Sequence, residues 1–332
     1  PRSILITTFT EKGARNLQDR IILYKDHICQ KFPFLSDIDT TQLRIGTLHS
    51  LCNDILLEYR YSGYRNFRPL DDLEQSLFIY FHSKLANSSQ NKLKPEYIDF
   101  LKHFQYLLEG RAQGAMKKGY QPSKWARTQL LQNLFNRIVE YRLDTKLMET
   151  QGGYWAILAN EFHSYEQSLE ENSRVDFAHM QAKMSDFLDT PKGKLFVASG
   201  GAKPGDQGLS HILVDEYQDT NPIQAEIYFK LSLRQPYNLV VVGDDDQALY
   251  RFRGGTVESM INFDKMCKEK FGVIPKSISL LDNYRSHPTI VNWCNAYIKS
   301  FDTMKVPGAR VADKKDLGAK SDILGPWPGV TL

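Results

Sequence analysis

The sequence predicts an α/β fold, a parallel β-sheet flanked by helices and interrupted by a long helical insertion. Three observations carry this prediction. Short apolar runs recur at "SILITTF" (3–9), "HILV" (211–214), "NLVVVG" (238–243) and "SISLL" (277–281). They do not alternate with polar residues, which is the pattern of strands buried on both faces. Stretches with helical periodicity separate them, and from about 73 to 205 only helical spacing is seen.

Taken in order, the elements have local causes. The chain opens "PRSILITTFT", without Met and directly in a strand, as a cut chain would. Thr10 is the expected N-cap of the helix that follows, because its hydroxyl can accept from a free helix N–H. In the middle, "LEQSLFIYFHSKL", "PEYIDFLKHFQYLLEG", "WARTQLLQNLFNRIVEYRL" and "YWAILANEFHSYEQSLEE" predict helices. The Gly-rich "ASGGAKPGDQG" (198–208) returns the chain to the "HILV" strand. Beyond it, Thr220 or Asn221 is the expected cap of a helix with Pro222 in its first turn. The closing "PWPGVTL" reads as the start of another strand.

Composition bounds the function. With 332 residues, the chain has room for two or three domains. A net charge of +3 excludes a global basic field, so any nucleic-acid surface must be local. Cys29, Cys52, Cys267 and Cys294 are far apart and form no CxxC pair. That pattern predicts reduced thiols and a cytoplasmic protein, with no zinc site or disulfide framework. No apolar run approaches the roughly 18 residues a membrane helix needs, and no signal-peptide pattern or internal repeat appears.

The stretch "SHILVDEYQDTN" (210–221) places Asp215 and Glu216 side by side after an apolar strand. Adjacent carboxylates repel each other, and burial worsens it. A cation removes the problem: Asp215 is placed to hold Mg²⁺, mostly through water, and Glu216 to take a proton from water attacking a γ-phosphate. Alone, two acids after a strand are more often solvated side chains. A second strand, however, ends "VVVGDDDQALYRFRGG" (240–255), where Gln247 suits a γ-phosphate sensor. There Tyr250, Phe252 and Arg253 alternate aromatic and cationic groups, the chemistry of a stacking platform for single-stranded bases. A third run ends "LLDNYRSHPTIVN" (280–292), with Arg285 placed to reach a phosphate and Tyr284 to stack on a base. Residues 111 to 142 add seven basic side chains, Lys117, Lys118 and Lys124 among them, opposed by Glu140. This is either a phosphate-binding patch or a solvated helix face.

Together, "VDEYQDTNPIQ", "VVGDDDQALYRFRGG" and "LLDNYRSHPTIV" resemble motifs II, III and IV of the UvrD/Rep family of superfamily 1 DNA helicases, in the family's order. "ILITTFTEKGARNLQDRI" resembles motif Ia, "IGTLHSLC" resembles motif Ib, and "SRVDFAHM" is a weaker echo of the stretch before motif II. The resemblance implies a RecA-like domain 1A in two parts (1–72 and 206–275), a helical 1B insertion (73–205) and the opening of domain 2A (276–332). It implies Asp215, Gln218 and Tyr284 at Mg²⁺ and ATP, with Glu216, Gln247 and Arg285 catalytic. Phe9, Tyr250 and Phe252 would contact bases, and Thr8, Thr47, His49 and Arg253 would lie along the DNA path.

The implied activity is ATP-dependent 3′ to 5′ unwinding of DNA, with single strands and single-strand/duplex junctions as partners. A role in DNA repair goes with the family, and the identity of repair or nuclease partners stays open. No GxxxxGK[ST] phosphate loop and no motif V or VI occurs in the chain, so this fragment is expected to be inactive alone. Two other readings remain at this point: a subunit of a helicase–nuclease complex, and a single-stranded DNA-binding module without catalysis.

Overall fold

The computed structural model of the chain describes residues 3–88, 93–108, 113, 121–201, 208–232, 238–247, 257–302, 306, 310–311 and 314–321. β1 (Ile4–Thr8) leads into α1 (Glu11–Lys31), and β2 (Arg44–Thr47) into α2 (Leu48–Glu58). The two-residue β3 (Arg68–Pro69) precedes a run of helices: α3 (Asp72–His82), α4 (Lys84–Asn87), α5 (Pro95–His103), α6 (Lys124–Glu140), α7 (Thr145–Gln151) and α8 (Gly153–Glu171). After β4 (Arg174–Val175) come α9 (Phe177–Asp189), α10 (Pro191–Ser199), β5 (His211–Val214), α11 (Pro222–Leu231) and β6 (Leu239–Val241). The remaining described elements are α12 (Val257–Ile261), α13 (Phe263–Phe271), β7 (Asp282–Asn283), α14 (Pro288–Lys299) and β8 (Gly318–Ala319).

The main sheet is parallel, in the order β2–β1–β5–β6. Thr8 lies opposite Thr47, and Thr7 opposite Val214, so the carboxyl ends of β1, β2 and β5 finish level with one another. Ligands of open parallel sheets bind beyond such ends. Caps set the helix starts: Thr10 Oγ1 accepts from Gly13 N at 3.0 Å. Asn221 and Gln224 form a reciprocal capping box at α11, with Pro222 in its first turn.

Among the described residues two large cores stand out, beside a small third one of Phe229, Cys267 and Phe271. One packs Leu5, Ile212 and Val214 of the sheet against Leu51, Ile55 and Leu56 of α2. The other is built mainly from helices and includes Ile79, Phe100, Leu131, Phe135, Leu158 and Phe162. The parallel pair β3–β4 sits where the chain enters and leaves that helical body. Helices α9 and α10, read from sequence as part of the insertion, place Met184, Phe187, Leu188 and Phe196 in the sheet's core instead.

Two further readings of the strands change. β2 pairs with β1 but was legible in sequence only as part of a motif. The run 277–281 is not a buried strand: Ile278 and Leu280 are 72% and 80% exposed, and regular pairing begins only at Asp282–Asn283. Its apolar residues lie against no sheet among the described residues. Val240 of β6 is likewise 48% exposed, because β6 is an edge of the described sheet.

Candidate functional site

The level strand ends open into a cavity of about 480 Å³. Thr8, Phe9, Thr47, His49, Asp215 and Glu216 line one wall. The opposite wall is α6, which contributes Gln129, Gln132, Asn133, Asn136, Arg137 and Glu140. Those positions fall at helical spacing on one stripe. The other side of α6, with Leu130, Leu131, Leu134 and Phe135, is packed in the helical core. The apolar stripe therefore anchors α6 and leaves an amide-rich stripe over the strand ends.

Asp215 follows β5 directly, and its N–H donates to Thr7 O at 2.9 Å, continuing the ladder. Burial and then the neighbouring Glu216 charge raise its pKa above the usual carboxylate value. Glu216 adopts the left-handed conformation, with φ 55°, which costs an L residue with a Cβ about 1–2 kcal/mol. Its carboxylate accepts from Gln218 Nε2 at 2.7 Å. Gln218 Oε1 in turn accepts from Asp244 N at 3.0 Å, so one side chain links the turns after β5 and β6. Gly243 is required there, since a Cβ would stand 2.6 Å from Gln218 Oε1. Gln218, expected at the nucleotide, is 2% exposed with both ends of its amide engaged, so it supports Glu216 from behind.

Asp215 and Glu216 offer hard carboxylate oxygens at an exposed strand end, a donor set that fits Mg²⁺. The charge conflict between them is what a cation relieves. Asp244, Asp245 and Asp246 also lie close enough together to hold a cation. Lys314 and Arg310 already pair with them. Gln247 is exposed and donates to Asp244 Oδ2 at 2.8 Å.

His49 differs from a cationic phosphate contact. Burial pushes its pKa down to about 4, with Asp72 and Glu11 only partly opposing, so the ring is neutral at pH 7. It packs on Phe177 at 4.6 Å. Gln181 Nε2 lies 2.7 Å from His49 Nε2; with the amide donating there, the ring's own proton sits on Nδ1. Gln181 is 1% exposed and lines the cavity, and its Oε1 has no hydrogen-bond partner among the described residues. Thr47 Oγ1 donates to Glu11 Oε1 at 2.8 Å, and Thr8 Oγ1 to Thr10 O at 2.9 Å, so both hydroxyl hydrogens are already used.

Phe177 and Gln181 were not among the residues singled out for the site. The "SRVDFAHM" stretch was the signal for them, since Asp176 caps α9 through His179 N and thereby sets which α9 residues face His49. The buried Asp176 also accepts from Tyr165 Oη at 2.6 Å and from Gln75 Nε2 at 3.2 Å. The neighbouring His179 is raised above its ordinary pKa: burial opposes this, but the Asp176 and Glu166 carboxylates outweigh it.

Other candidates fall elsewhere. Tyr284 is 72% exposed and Arg285 is exposed too, on the turn between β7 and α14. Asn283 Oδ1 accepts from Arg285 N at 3.0 Å and Ser286 N at 2.9 Å and shapes that turn. Neither Tyr284 nor Arg285 lines the cavity. The basic segment divides. Arg127 is buried and donates to the carbonyls of Ala86 and Ser88, which removes it from any surface patch. Arg142 pairs with Asp186 and Glu226. Lys124 Nζ lies over Tyr80 at 3.6 Å and bonds Asn87 Oδ1 at 2.5 Å. Lys117, Lys118, Tyr250, Phe252 and Arg253 lie outside the described residues. Among the described residues no helix is long and apolar enough to cross a membrane.

Comparison with known proteins supplies the rest. Residues 1–268 match the model of the UvrD/REP helicase N-terminal domain. The ATP-dependent DNA helicase PcrA of Staphylococcus aureus is 27% identical over 317 residues, 94% of this chain and 36% of the relative. The PcrA of Staphylococcus epidermidis is 26% identical over 316 residues, with the same coverage of 94% and 36%. The ATP-dependent DNA helicase SRS2 of Saccharomyces cerevisiae is 26% identical over 302 residues, 88% of this chain and 22% of the relative. The chain thus spans about a third or less of the length of these relatives.

Proposed function

The chain belongs to the UvrD/REP helicase N-terminal domain family, and from that premise we propose that it forms part of an ATP-dependent DNA helicase moving 3′ to 5′ along a single strand. Its substrates are single-stranded DNA and single-strand/duplex junctions, and it works in the cytoplasm. The observation that carries this reading is the shared cavity. Thr8, Phe9, Thr47 and His49, the expected strand contacts, line it together with Asp215 and Glu216, the expected ATPase pair.

In this proposal the RecA-like domain 1A comprises residues 1–72 and 206–275, with the inserted helices of 1B at 73–205, of which α9 and α10 pack on the sheet of 1A, and the start of domain 2A at 276–332. Mg²⁺-ATP supplies the phosphoryl bond whose hydrolysis drives the motion. Asp215 would hold the metal, and Glu216 would take the proton of the attacking water. Gln218 keeps the Glu216 carboxylate aimed, since it donates to it at 2.7 Å. Gln247 senses the γ-phosphate, Arg285 offsets charge that develops in transfer, and Tyr284 stacks on adenine. Phe9, Tyr250 and Phe252 stack on bases, which tolerates any sequence. Thr8, Thr47 and Arg253 follow the strand, and Lys117, Lys118 and Lys124 meet phosphates. His49 contributes as a neutral hydrogen-bond donor.

The test uses the full-length protein. Glu216→Gln should keep Mg²⁺-ATP binding and lose DNA-stimulated hydrolysis by about a hundredfold or more. Residues 1–332 alone should show no DNA-stimulated hydrolysis. Ordinary turnover in full-length Glu216→Gln would end the reading.

A further inference from the structure

Three aspartates in a row after β6 pose the problem that Asp215 and Glu216 pose, and here the answer is on the chain itself. Lys314 Nζ lies 2.5 Å from Asp245 Oδ1 and 2.7 Å from Asp246 Oδ2, and it also pairs with Asp244. Arg310 grips Asp246 with two parallel bonds, Nε to Oδ1 at 2.7 Å and Nη2 to Oδ2 at 2.6 Å. The backbone N–H of Val311 donates to Asp245 Oδ2 at 2.7 Å. The Asp245 side chain is 3% exposed, and those of Lys314 and Arg310 are 24% and 20% exposed. This is a partly desolvated network of charge-assisted bonds, unlike a surface pair.

Both ends of the network lead to residues of the proposed ATPase site. On one side, Asp244 Oδ2 accepts from Gln247 Nε2 at 2.8 Å, and Asp244 N donates to Gln218, which holds Glu216. On the other side, the segment bearing Lys314 runs into β8. Gly318 and Ala319 pair with Asp282 and Asn283 of β7, immediately before Tyr284 and Arg285. The same segment is docked on α14 by the amide of Asn295, which donates to Leu317 O at 2.9 Å, and by Lys299 with Asp316 at 2.5 Å. The path from Gln247 to the Arg285 turn therefore crosses one ionic joint and one backbone ladder.

We propose that Lys314 and Arg310 are positioning residues that lock the Gln247 turn to the strand pair carrying Arg285, so that the sensor and the arginine move as one unit. The proposal rests on the helicase reading above. Three carboxylates this close repel one another, and a cation among them relieves that repulsion. A lysine and an arginine fill that role permanently and, unlike a free ion, tie a distant segment to the turn. Neither cation touches Asp215, Glu216 or the cavity beyond β1 and β2. Their loss should therefore spare nucleotide and strand binding and slow turnover.

The experiment measures DNA-stimulated ATP hydrolysis by the full-length protein. Its variants are Lys314→Met, Arg310→Gln, Lys314→Arg, and the swap of Arg310→Asp with Asp246→Arg. Lys314→Met and Arg310→Gln are expected to lower kcat about tenfold or more, with KM for ATP and single-strand affinity within about twofold of the parent. Lys314→Arg should recover most of the rate. The swapped pair should exceed either of its single changes, as a direct charge contact requires. Rates within twofold of the parent in the first two variants would overturn the proposal. So would a swap no better than its singles, a comparison that also decides the matter if Lys314→Met fails to fold. Glu216→Gln runs beside them. If the parent has no Glu216-dependent turnover, the helicase reading itself has failed, and that outcome is recognised separately.

Discussion

Glu216 shows how one residue can be held for chemistry against local preference. Its φ of 55° suits glycine, yet a carboxylate stands there, bonded to Gln218 and facing the cavity. In unfolding of the 1–332 chain by urea, Glu216→Gly should be about 1 kcal/mol more stable than Glu216→Ala, the reverse of the order at most positions. Equal stabilities, or a more stable Ala variant, would remove the strain from the account. Glu140 tests the opposite wall. Burial pushes its carboxyl up to about 8, with the Asp176 charge adding and the Asn221 hydrogen bond and Arg137 opposing. The folded chain then holds a proton that the unfolded chain, with its ordinary value of 4.5, has already released. Glu140 therefore contributes fully below about 4.5 and loses that contribution as pH climbs toward about 8. Glu140→Gln keeps the neutral form at every pH. Its stability should hold between about pH 5 and about pH 8 where the parent's declines, as read from urea midpoints. Parallel curves would mean that Glu140 is ionised in the fold.

At the scale of elements, the turns after β5 and β6 behave as one unit because Gln218 spans them. Gly243→Ala would drive a Cβ to 2.6 Å from the Gln218 amide oxygen and to 3.2 Å from two backbone nitrogens. The expected cost is about 1–3 kcal/mol. In a Gln218→Ala background the same change should cost measurably less, since the closest atom is gone. Costs that add within about 0.5 kcal/mol would show that the two residues do not meet. The helices around these turns are set more independently, by the Thr10 cap of α1 and the Asn221 box of α11.

Across the whole molecule, two cores divide the labour. The sheet and α2, α9 and α10 hold the strand ends level, while the helical body presents the amide stripe of α6 above them. Such units open separately unless their interface couples them. Leu131→Ala removes a fully buried side chain from the helical core and should cost about 2–5 kcal/mol. Hydrogen exchange should then quicken in α3, α5, α6 and α8 while β1 and β5 keep their protection. Ile212→Ala, in the sheet's core, should give the converse pattern. Uniform loss of protection in both variants would show a single cooperative unit. The same division explains why a net charge of +3 conceals the local electrostatics. Of the basic segment, Arg127 is in a core and Arg142 in ion pairs, so sequence clustering overstates the surface patch.

What the sequence determined by itself was whatever depends on neighbours along the chain. The runs of β1, β5 and β6, the caps at Thr10 and Asn221, Pro222 in the first turn of α11 and the order of the motifs were all legible, because period and capping act over a few residues. The parallel sheet flanked by helices followed from them. Tertiary structure alone decided the rest. "SISLL" has the composition of a core strand but, among the described residues, no sheet to enter, so Ile278 and Leu280 face outward. α9 looks like one more helix of the insertion, yet its apolar face meets the sheet. The resemblance puts His49 along the DNA path, but only the fold shows that Phe177 and Gln181 lie against it and that burial keeps its ring neutral. The acidic triplet shows in sequence only as an acidic strand end, and nothing nearby in the chain points to Lys314 and Arg310, more than 60 residues away, which pair with it. Burial and charge pairing depend on which distant segments meet, and neither periodicity nor spacing encodes that.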